Sequence, residues 1–307
     1  MPEPTPSPSH TATADAIRTA ADAAAVAGVD LVDVHATDGF ARASALFDAV
    51  WGRPGEAGAV LGPEALAAID HAGGQVSAAV RDGEVVGATA AFLGRTVSGV
   101  TFLHSHVTGV LDEATSGGIG AALKWHQRAW CLGRGIAEVR WTFDPLIRRN
   151  VAFNLVRLGA QVDRYLEDAY GRMPDVRNAG LPTDRLVAVW SLASPRVAAA
   201  ASGRAASPDV DALRRSGAEV LVDELDDGSP HVTVTEAPRR LIRVPTDIEP
   251  LRLTDPDLAL GWAAAMRTTL GAALAEGARV SGATRDGWLV LTAGDRVTEL
   301  RGTGRPR

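Results

Sequence analysis

The spacing of apolar and polar positions in the first part of the chain predicts a mixture of helices and strands. The predicted elements are a helix over 14–27, a strand over 29–36, helices over 38–52 and 62–74, and a strand hairpin over 75–94. The two alternating runs of the hairpin flank Asp82-Gly83, a dipeptide that is typical of a tight β-turn.

The same patterning continues to the C-terminus. It predicts a strand pair within 97–111, a long helix after the glycines near 118, a strand over 136–143, a helix over 148–160, a strand over 186–192, strands near 219–223, 231–235 and 288–292, and a helix over 255–277. These mixed elements indicate the α/β (α+β) class. An Ala/Gly-rich stretch over 193–207 is the expected internal boundary. The expected organisation is a disordered tail over 1–13, a main domain over 14–195 and a smaller C-terminal α/β region over 209–307.

Charge and cysteine content narrow the classes of function. The chain has 307 residues with 31 basic and 37 acidic side chains, a net charge of −6, which argues against nucleic acid as the main partner. The single cysteine, Cys131, excludes an internal disulfide and a cysteine-rich metal site, and it favours the cytoplasm. No apolar run has the length of a membrane span, and the N-terminus lacks the features of a secretion signal, so no membrane association is expected.

Three glycines, Gly117, Gly118 and Gly120, stand where the long helix is expected to open. Because glycine lowers helix stability, a cluster at this point needs a reason. The first N–H groups of a helix are unpaired and carry a partial positive charge, and glycines allow an anion to approach them. A tight turn with no ligand explains the same residues, and the local sequence leaves both interpretations open. Neither GxxxxGK[ST] nor GxGxxG is present.

The segment TSGGIGAAL resembles the signature of the GNAT superfamily of CoA-dependent N-acyltransferases, a strand followed by [QR]-x-x-G-x-[GA] at a helix start. Gly118 and Gly120 match the two small positions, whereas Thr115 replaces the usual Gln or Arg. Further blocks in the same order resemble a bacterial and archaeal subgroup of predicted GNAT acyltransferases: HSHVTGV, LKWHQR, WTFDPL, NVAFNLVRLGA, YG-M-D and N-G-PTDR.

The resemblance implies a GNAT fold, a mixed and mostly antiparallel central sheet flanked by helices, with the C-terminal region as an addition. It implies acetyl-CoA or another acyl-CoA, such as succinyl-CoA, as co-substrate, and a small-molecule amine, such as an amino acid, as acceptor. A homodimer is a further expectation. The cofactor-binding residues that the resemblance implies are Val107, Gly109, Ser116, Gly117, Gly118, Ile119, Gly120, Ala121, Asn150 and Asn154.

Three residues are candidates for taking the proton of the attacking amine. His104 and His106 alternate on the strand before the glycines, so both are expected on one face, where an imidazole suits proton transfer near pH 7. Histidines hydrogen-bonded in the core are the alternative. Asp144, at the end of the next strand, is a further candidate for accepting the proton or binding the amine. The alternative is that the Asp144-Pro145 dipeptide only ends the strand. No third ligand accompanies the histidine pair, so no metal is expected.

A tyrosine that protonates the departing thiolate is typical of GNAT enzymes, and this chain has Leu155 and Val156 at the corresponding positions. Tyr170 is the candidate substitute, although the sequence favours a packing role for it. The missing tyrosine supports a second hypothesis, a non-catalytic GNAT-fold protein that binds CoA or acts as a regulator. Lys124 and Arg128 are expected either to flank the CoA phosphates or to be surface charges.

Overall fold

The computed structural model describes residues 10–51, 60–171 and 182–294, and a seven-stranded sheet organises the first two thirds of the chain. Its elements are α1 (His10–Ala27), β1 (Asp30–Asp33), α2 (Thr37–Trp51), α3 (Pro63–His71), β2 (Gln75–Arg81), β3 (Glu84–Arg95), β4 (Thr101–Val110), a 3-10 turn (Asp112–Gly117), α4 (Ile119–Gly133), β5 (Glu138–Phe143), α5 (Arg148–Val151) with a π-helical continuation (Ala152–Arg157), β6 (Gln161–Leu166) and β7 (Arg185–Ser191). Helix α1 begins four residues before the predicted start, so residues 10–13 are helical rather than part of a tail. The rest of that predicted tail lies outside the described residues.

The strand order of this sheet is β1-β2-β3-β4-β5-β7-β6. Its described strand pairs are antiparallel, except that β4 and β5 run parallel. A parallel pair needs a crossover connection, and the 3-10 turn and α4 provide it. The mixed, mostly antiparallel sheet with flanking helices that the resemblance implied is therefore confirmed.

Helices cover the sheet on two faces, in agreement with the alternation of side chains along the strands. On the face that we call the α2 face, Val76, Ala78 and Ala90 pack with α2 and α3. On the opposite face, the α4 face, Ala79 and Leu123 pack together with α1 and α4. Helix α4 is buried on most of its sides, as its sequence predicted.

The C-terminal region forms a second, five-stranded sheet of order β11-β12-β10-β8-β9. Its elements are α6 (Pro195–Ala201), α7 (Val210–Arg215), β8 (Glu219–Glu224), β9 (Pro230–Val232), β10 (Arg239–Arg243), α8 (Ile248–Thr254), α9 (Pro256–Met266) with a π-helical continuation (Arg267–Gly271), α10 (Ala272–Ala275), β11 (Arg279–Ala283) and β12 (Trp288–Thr292). The sequence pattern missed β10 and β11, two five-residue strands that both begin with arginine. The continuous helix Pro256–Ala275 is long and apolar enough to cross a membrane by composition, but half of that window is buried inside the protein.

The two sheets belong to one packed body, because the C-terminal elements lie against β6 and the π-helical continuation of α5. A single buried cluster contains side chains from both regions, among them Trp190 and Trp262. Two buried carboxylates join the regions: Asp144 accepts from Arg252 at 2.5 Å, and Asp184 accepts from Arg267 at 2.5 Å.

Candidate functional site

The parallel strands β4 and β5 separate soon after they meet. They pair at two positions only, Leu103 with Val139 and His104 with Arg140. Beyond these residues both strands continue, β4 to Val110 and β5 to Phe143, without pairing to each other in the described register. The peptide groups that β4 and β5 turn toward each other are therefore available to an extended ligand at this edge.

A β-bulge marks the same stretch of β4. The register with β3 shifts so that Ala90 pairs with Val107 and Ala91 pairs with Ser105, which leaves His106 as the extra residue. A bulge bends a strand and redirects its side chains, and bulges are frequent beside functional sites. The strand therefore turns away from β5 where the two strands begin to separate.

The glycine turn lies at the end of this separation, between β4 and α4. Gly118 has a φ of +81°, in the left-handed region that favours glycine, and it immediately precedes the first residue of α4. A β-carbon placed on Gly118 would meet only Arg157 Nη2, at 3.8 Å, so packing does not require glycine here. The positive φ and the open space above the helix N-terminus explain the glycine, and both suit the approach of an anion.

Two arginines that the sequence analysis did not identify flank this turn. Arg81, at the end of β2, lies 3.6 Å from the position of a β-carbon on Gly117, and it is held by the carbonyls of Ala27 and Gly28. Arg157, at the end of the π-helical continuation, is exposed and lies beside Gly118. Two cations therefore accompany the helix N-terminus, although neither is close to it in sequence.

The predicted cofactor-binding residues of the turn lie together. Ser116 and Gly117 end the 3-10 turn, and Gly120 follows at the start of α4, next to Val110 and Phe153. Ile119 and Ala121 are buried, so their backbones rather than their side chains face the turn.

The remaining predicted cofactor-binding residues lie on β4, beside the gap, and on α5 and its π-helical continuation. The side chain of Val107 packs on the α2 face, and the missing side chain of Gly109 makes room for Trp51, which would lie 2.8 Å from a β-carbon. Asn154 is buried, and its Oδ1 accepts a hydrogen bond from Trp141 Nε1 at 3.2 Å. Asn150 is half-buried in the first turn of α5.

The two candidate histidines lie close together at the bulge, of which His106 is the extra residue. Their rings are 6.3 Å apart, and both contact Phe92 of β3, with ring centroids 4.9 Å from His104 and 5.7 Å from His106. Partial burial lowers the pKa of His104, with further lowering from His106 and Lys124, and partial burial also lowers the pKa of the more exposed His106. Both imidazoles are therefore neutral near pH 7 and able to accept a proton.

Asp144 lies at the end of β5, buried and fully engaged. Its Oδ1 accepts from the backbone N–H of Leu146 at 2.8 Å, its Oδ2 accepts from Arg252 at 2.5 Å, and Arg185 lies 3.9 Å away. Both oxygens of this carboxylate therefore have partners within the protein, and one of these partners is an arginine. This geometry favours the structural alternative for Asp144.

Tyr170 is half-exposed after β6, and its hydroxyl is 2.7 Å from Thr142 Oγ1 of β5. The guanidinium of Arg185 lies over its ring, 5.6 Å from the centroid. Tyr170 therefore lies beside β5, the strand that borders the gap. Leu155 and Val156, in contrast, are packed in the core. The residues of the YG-M-D block after Gly171 lie outside the described residues.

The only lysine of the chain, Lys124, is buried beneath β4 and β5 rather than beside the glycine turn. Its Nζ is 2.6 Å from Ser105 Oγ and 3.1 Å from Gln127 Oε1, and it lies over the ring of Trp141, 4.3 Å from the centroid. Burial lowers the pKa of Lys124 to about 7. The sequence-based expectation that Lys124 flanks phosphates or is a surface charge is wrong.

Arg128, one turn further along α4, is also buried. It donates to the carbonyl of Leu192 at 2.9 Å and lies 3.4 Å from Asp15 of α1, so it holds α1 and β7 to α4. A helix that is covered on most sides buries its charged residues as well, and these then need local partners. No group of three or more metal-ligating side chains is found within 10–51, 60–171 and 182–294.

Comparisons with known proteins find partial matches among solved structures. No protein-family model matches the chain, and no curated protein matches it. Arabidopsis thaliana Naa50 in complex with the bisubstrate analogue CoA-Ac-MVNAL is 18% identical, with 53% of this chain and 97% of that chain covered and a TM-score of 0.41. IAA acetyltransferase from Bacillus cereus is 15% identical, covering 52% and 97%, with a TM-score of 0.39. The ribosomal-protein-S18-alanine N-acetyltransferase from Escherichia coli is 13% identical, covering 54% and 95%, with a TM-score of 0.42. Each of these alignments covers about half of this chain, at low sequence identity.

Proposed function

We propose that this protein is an acyl-CoA-dependent N-acyltransferase. It transfers an acetyl or succinyl-like acyl group from CoA to the amine of a small molecule, and amino acids are the acceptors to test first. The observation that carries the proposal is the glycine turn at the N-terminus of α4, placed at the open end of the gap between β4 and β5. A single extended ligand with a negatively charged end fits both features.

The pyrophosphate of CoA is the proposed ligand of the turn. The N–H groups that open α4 and the partial positive charge of the helix N-terminus favour an anion there. Arg81 and Arg157 add two positive charges beside Gly117 and Gly118. Gly118 leaves this side of the turn open, so the residues present suit a diphosphate.

The pantetheine arm of CoA, which contains two amides, is the proposed ligand of the gap. After His104 the backbone of β4 lacks a β5 partner in the described register, and the segment through Val107 and Gly109 offers peptide groups for hydrogen bonds. This proposal gives the backbones of Val107 and Gly109 a role in binding while their side-chain positions serve packing.

Neutral His104 and His106 are the proposed proton acceptors on the α2 face. A protonated amine cannot attack a thioester, so a group that accepts its proton directly or through water accelerates the reaction. The lowered pKa values keep these imidazoles neutral at pH 7. Activity that depends on them is expected to fall as the pH drops below about 6.5, the usual value for histidine.

A free-thiol assay tests the proposal directly. Acetyl-CoA and succinyl-CoA are incubated with a panel of amino acids and other small amines, and CoA release is followed by a colourimetric thiol reagent. Acceptor-dependent release that falls at least 100-fold in His104→Asn or His106→Asn supports the assignment. His71→Asn, a substitution on α3, is the matched control and should leave the rate unchanged.

The second candidate function is a non-catalytic CoA-binding protein. Leu155 and Val156, packed where GNAT enzymes carry a tyrosine, are the observation that favours it. Thermal stabilisation by CoA, with no thiol release across the whole panel, would select this alternative. The absence of any CoA binding by calorimetry would contradict both candidates.

A further inference from the structure

We propose that Lys124 and Ser105 form a proton-delivery pair that protonates the departing CoA thiolate. This proposal rests on the proposed function and assigns the step for which the usual tyrosine is missing. Ser105 is the donor that contacts the sulfur, and Lys124 is a positioning residue that supplies the proton through the Ser105 hydroxyl.

The position of the pair comes first. Ser105 lies on β4 between the last residue that pairs with β5, His104, and the bulged residue, His106. Lys124 Nζ lies 2.6 Å from its hydroxyl oxygen and over the indole ring of Trp141 on β5. The pair therefore bridges β4 and β5 where the gap begins, on the α4 face and opposite the histidines.

The contacts of Lys124 suit an amine that gains and loses a proton. Gln127 Oε1 accepts one N–H, the indole of Trp141 receives another, and the third position faces Ser105, which can either donate or accept. Among the described residues, no carboxylate forms a salt bridge with Nζ. An ammonium ion without a buried counter-charge is easily deprotonated.

The titratable groups that act on Lys124 do not restore its charge. Cys131 on the same helix interacts electrostatically with Lys124, but burial raises the pKa of its thiol, so it stays neutral. His104 on β4 would only repel the ammonium ion if it were protonated. Gln127 Nε2 in turn donates a hydrogen bond to Gln75 Oε1 of β2 at 3.1 Å, so the next side chain in this chain of contacts is also uncharged.

The proposed step balances as follows. The acceptor nitrogen bonds to the thioester carbon and passes one proton to His104 or His106, the carbon–sulfur bond breaks, and its electron pair leaves on sulfur. The Ser105 hydroxyl gives its proton to sulfur while the Lys124 ammonium gives a proton to the Ser105 oxygen. A thiol has a pKa of about 8.5, above that of Lys124, so the transfer is downhill. Lys124 regains a proton from solvent after CoA leaves.

The test uses the ratio of wild-type kcat to variant kcat across pH 5.5–9, because the ratio cancels the titration of the acceptor amine. For Lys124→Met and Ser105→Ala, a ratio of about 100 is expected at low pH. This value is at the lower end of the rate gains that general acid catalysis gives, because a thiolate is already a good leaving group. The ratio should fall as the pH rises through about 7, and KM for the acyl donor should stay within about threefold of wild type. Ser105→Thr keeps the hydroxyl and should restore the wild-type profile.

Because Lys124 is the only lysine, isotope-labelled lysine gives one side-chain NMR signal, which reports its titration independently of activity. A titration near pH 7 supports the proposal, and one near the usual value of about 10.4 overturns it. A ratio that is constant with pH also overturns it, as does a Ser105→Thr variant as slow as Ser105→Ala. If Lys124→Met does not fold, the serine variants and the NMR titration still decide. Calorimetry with CoA on the same samples distinguishes failure of the proposed function from failure of the proton-delivery pair. If CoA does not bind, the proposed function is contradicted. If turnover is normal and the ratio is constant with pH, only the proton-delivery pair is contradicted.

Discussion

A pair of glycine substitutions at the two ends of α4 separates the backbone role of the glycine turn from a role in binding. Gly118 precedes α4 with φ +81°, and Gly135 follows it with φ +74°. A β-carbon would find Arg157 Nη2 at 3.8 Å in Gly118→Ala and no atom within 4 Å in Gly135→Ala. Neither substitution causes a clash, so in the absence of a ligand both test the left-handed backbone alone.

The two variants should lose similar stability. An alanine in the left-handed region costs about 1 kcal/mol of unfolding free energy, which corresponds to a Tm decrease of about 1.5–2 °C for a chain of this size. Thermal unfolding measured by circular dichroism checks this expectation.

Only Gly118→Ala should weaken CoA binding. Its methyl group enters the space above the N-terminus of α4 and disturbs one charge-assisted hydrogen bond to phosphate, worth about 1.5–3 kcal/mol. The Kd for CoA measured by calorimetry should therefore rise about 10- to 100-fold, while that of Gly135→Ala remains at the wild-type value. If Gly118→Ala bound CoA as tightly as wild type, or if both variants lost affinity equally, the glycine turn would not be the phosphate site.

Three further predictions concern charged residues. Asp144→Asn should destabilise the protein by about 3–5 kcal/mol in urea unfolding because it leaves Arg252 buried without its carboxylate; a stable variant that has lost only kcat would restore Asp144 as a catalytic candidate. For Lys124, whose pKa is about 7 in the folded protein and about 10.4 when unfolded, the unfolded chain binds more protons between these values. Wild-type stability should therefore rise by about 2 kcal/mol from pH 7 to pH 9 relative to Lys124→Met, and parallel curves would refute the lowered pKa. Arg157→Ala should raise the Kd for CoA about fivefold at low salt and less at high salt, whereas Arg164→Ala, another exposed arginine, should not.

The sequence predicted those parts of the fold that local patterns encode. Apolar periodicity located most helices and strands, and Asp82-Gly83 marked the hairpin between β2 and β3, where Asp82 has a φ of +52°. The glycine motif predicted the turn before α4, because only glycine tolerates the left-handed backbone of Gly118 without cost. These features depend on residues that are neighbours in the chain.

Features of the site that depend on long-range packing were not predictable in this way. The bulge at His106 appears only when β4 is aligned with β3, and Arg81 and Arg157 come to the glycine turn from β2 and from the end of α5. The π-helical continuation that carries Arg157 was predicted as ordinary α-helix, because residue propensities do not distinguish the two.

Lys124 shows where a sequence signal was present but was interpreted wrongly. A charged residue on a helix is usually solvated, and this rule suggested a surface or phosphate-binding lysine. Helix α4, however, is apolar over most of its circumference, so the charged side chains of its second and third turns have no exposed face left. Gln127, three residues after Lys124, provides the polar partner that a buried amine requires. A fully covered helix should therefore direct attention to its few polar residues.

The C-terminal region bears on the site through the strand that forms one edge of the gap. Asp144 follows β5 directly, and its ion pair with Arg252 of α8 is buried on both sides. Asp184, just before β7, is held in the same way by Arg267. Because β5 pairs with β7 along its whole length but with β4 at only two positions, β5 is fixed mainly from this side. The width of the gap between β4 and β5 therefore depends on contacts made by residues about 100 positions later in the chain, and a region without chemical motifs of its own acquires a direct structural link to the proposed acyl-CoA site.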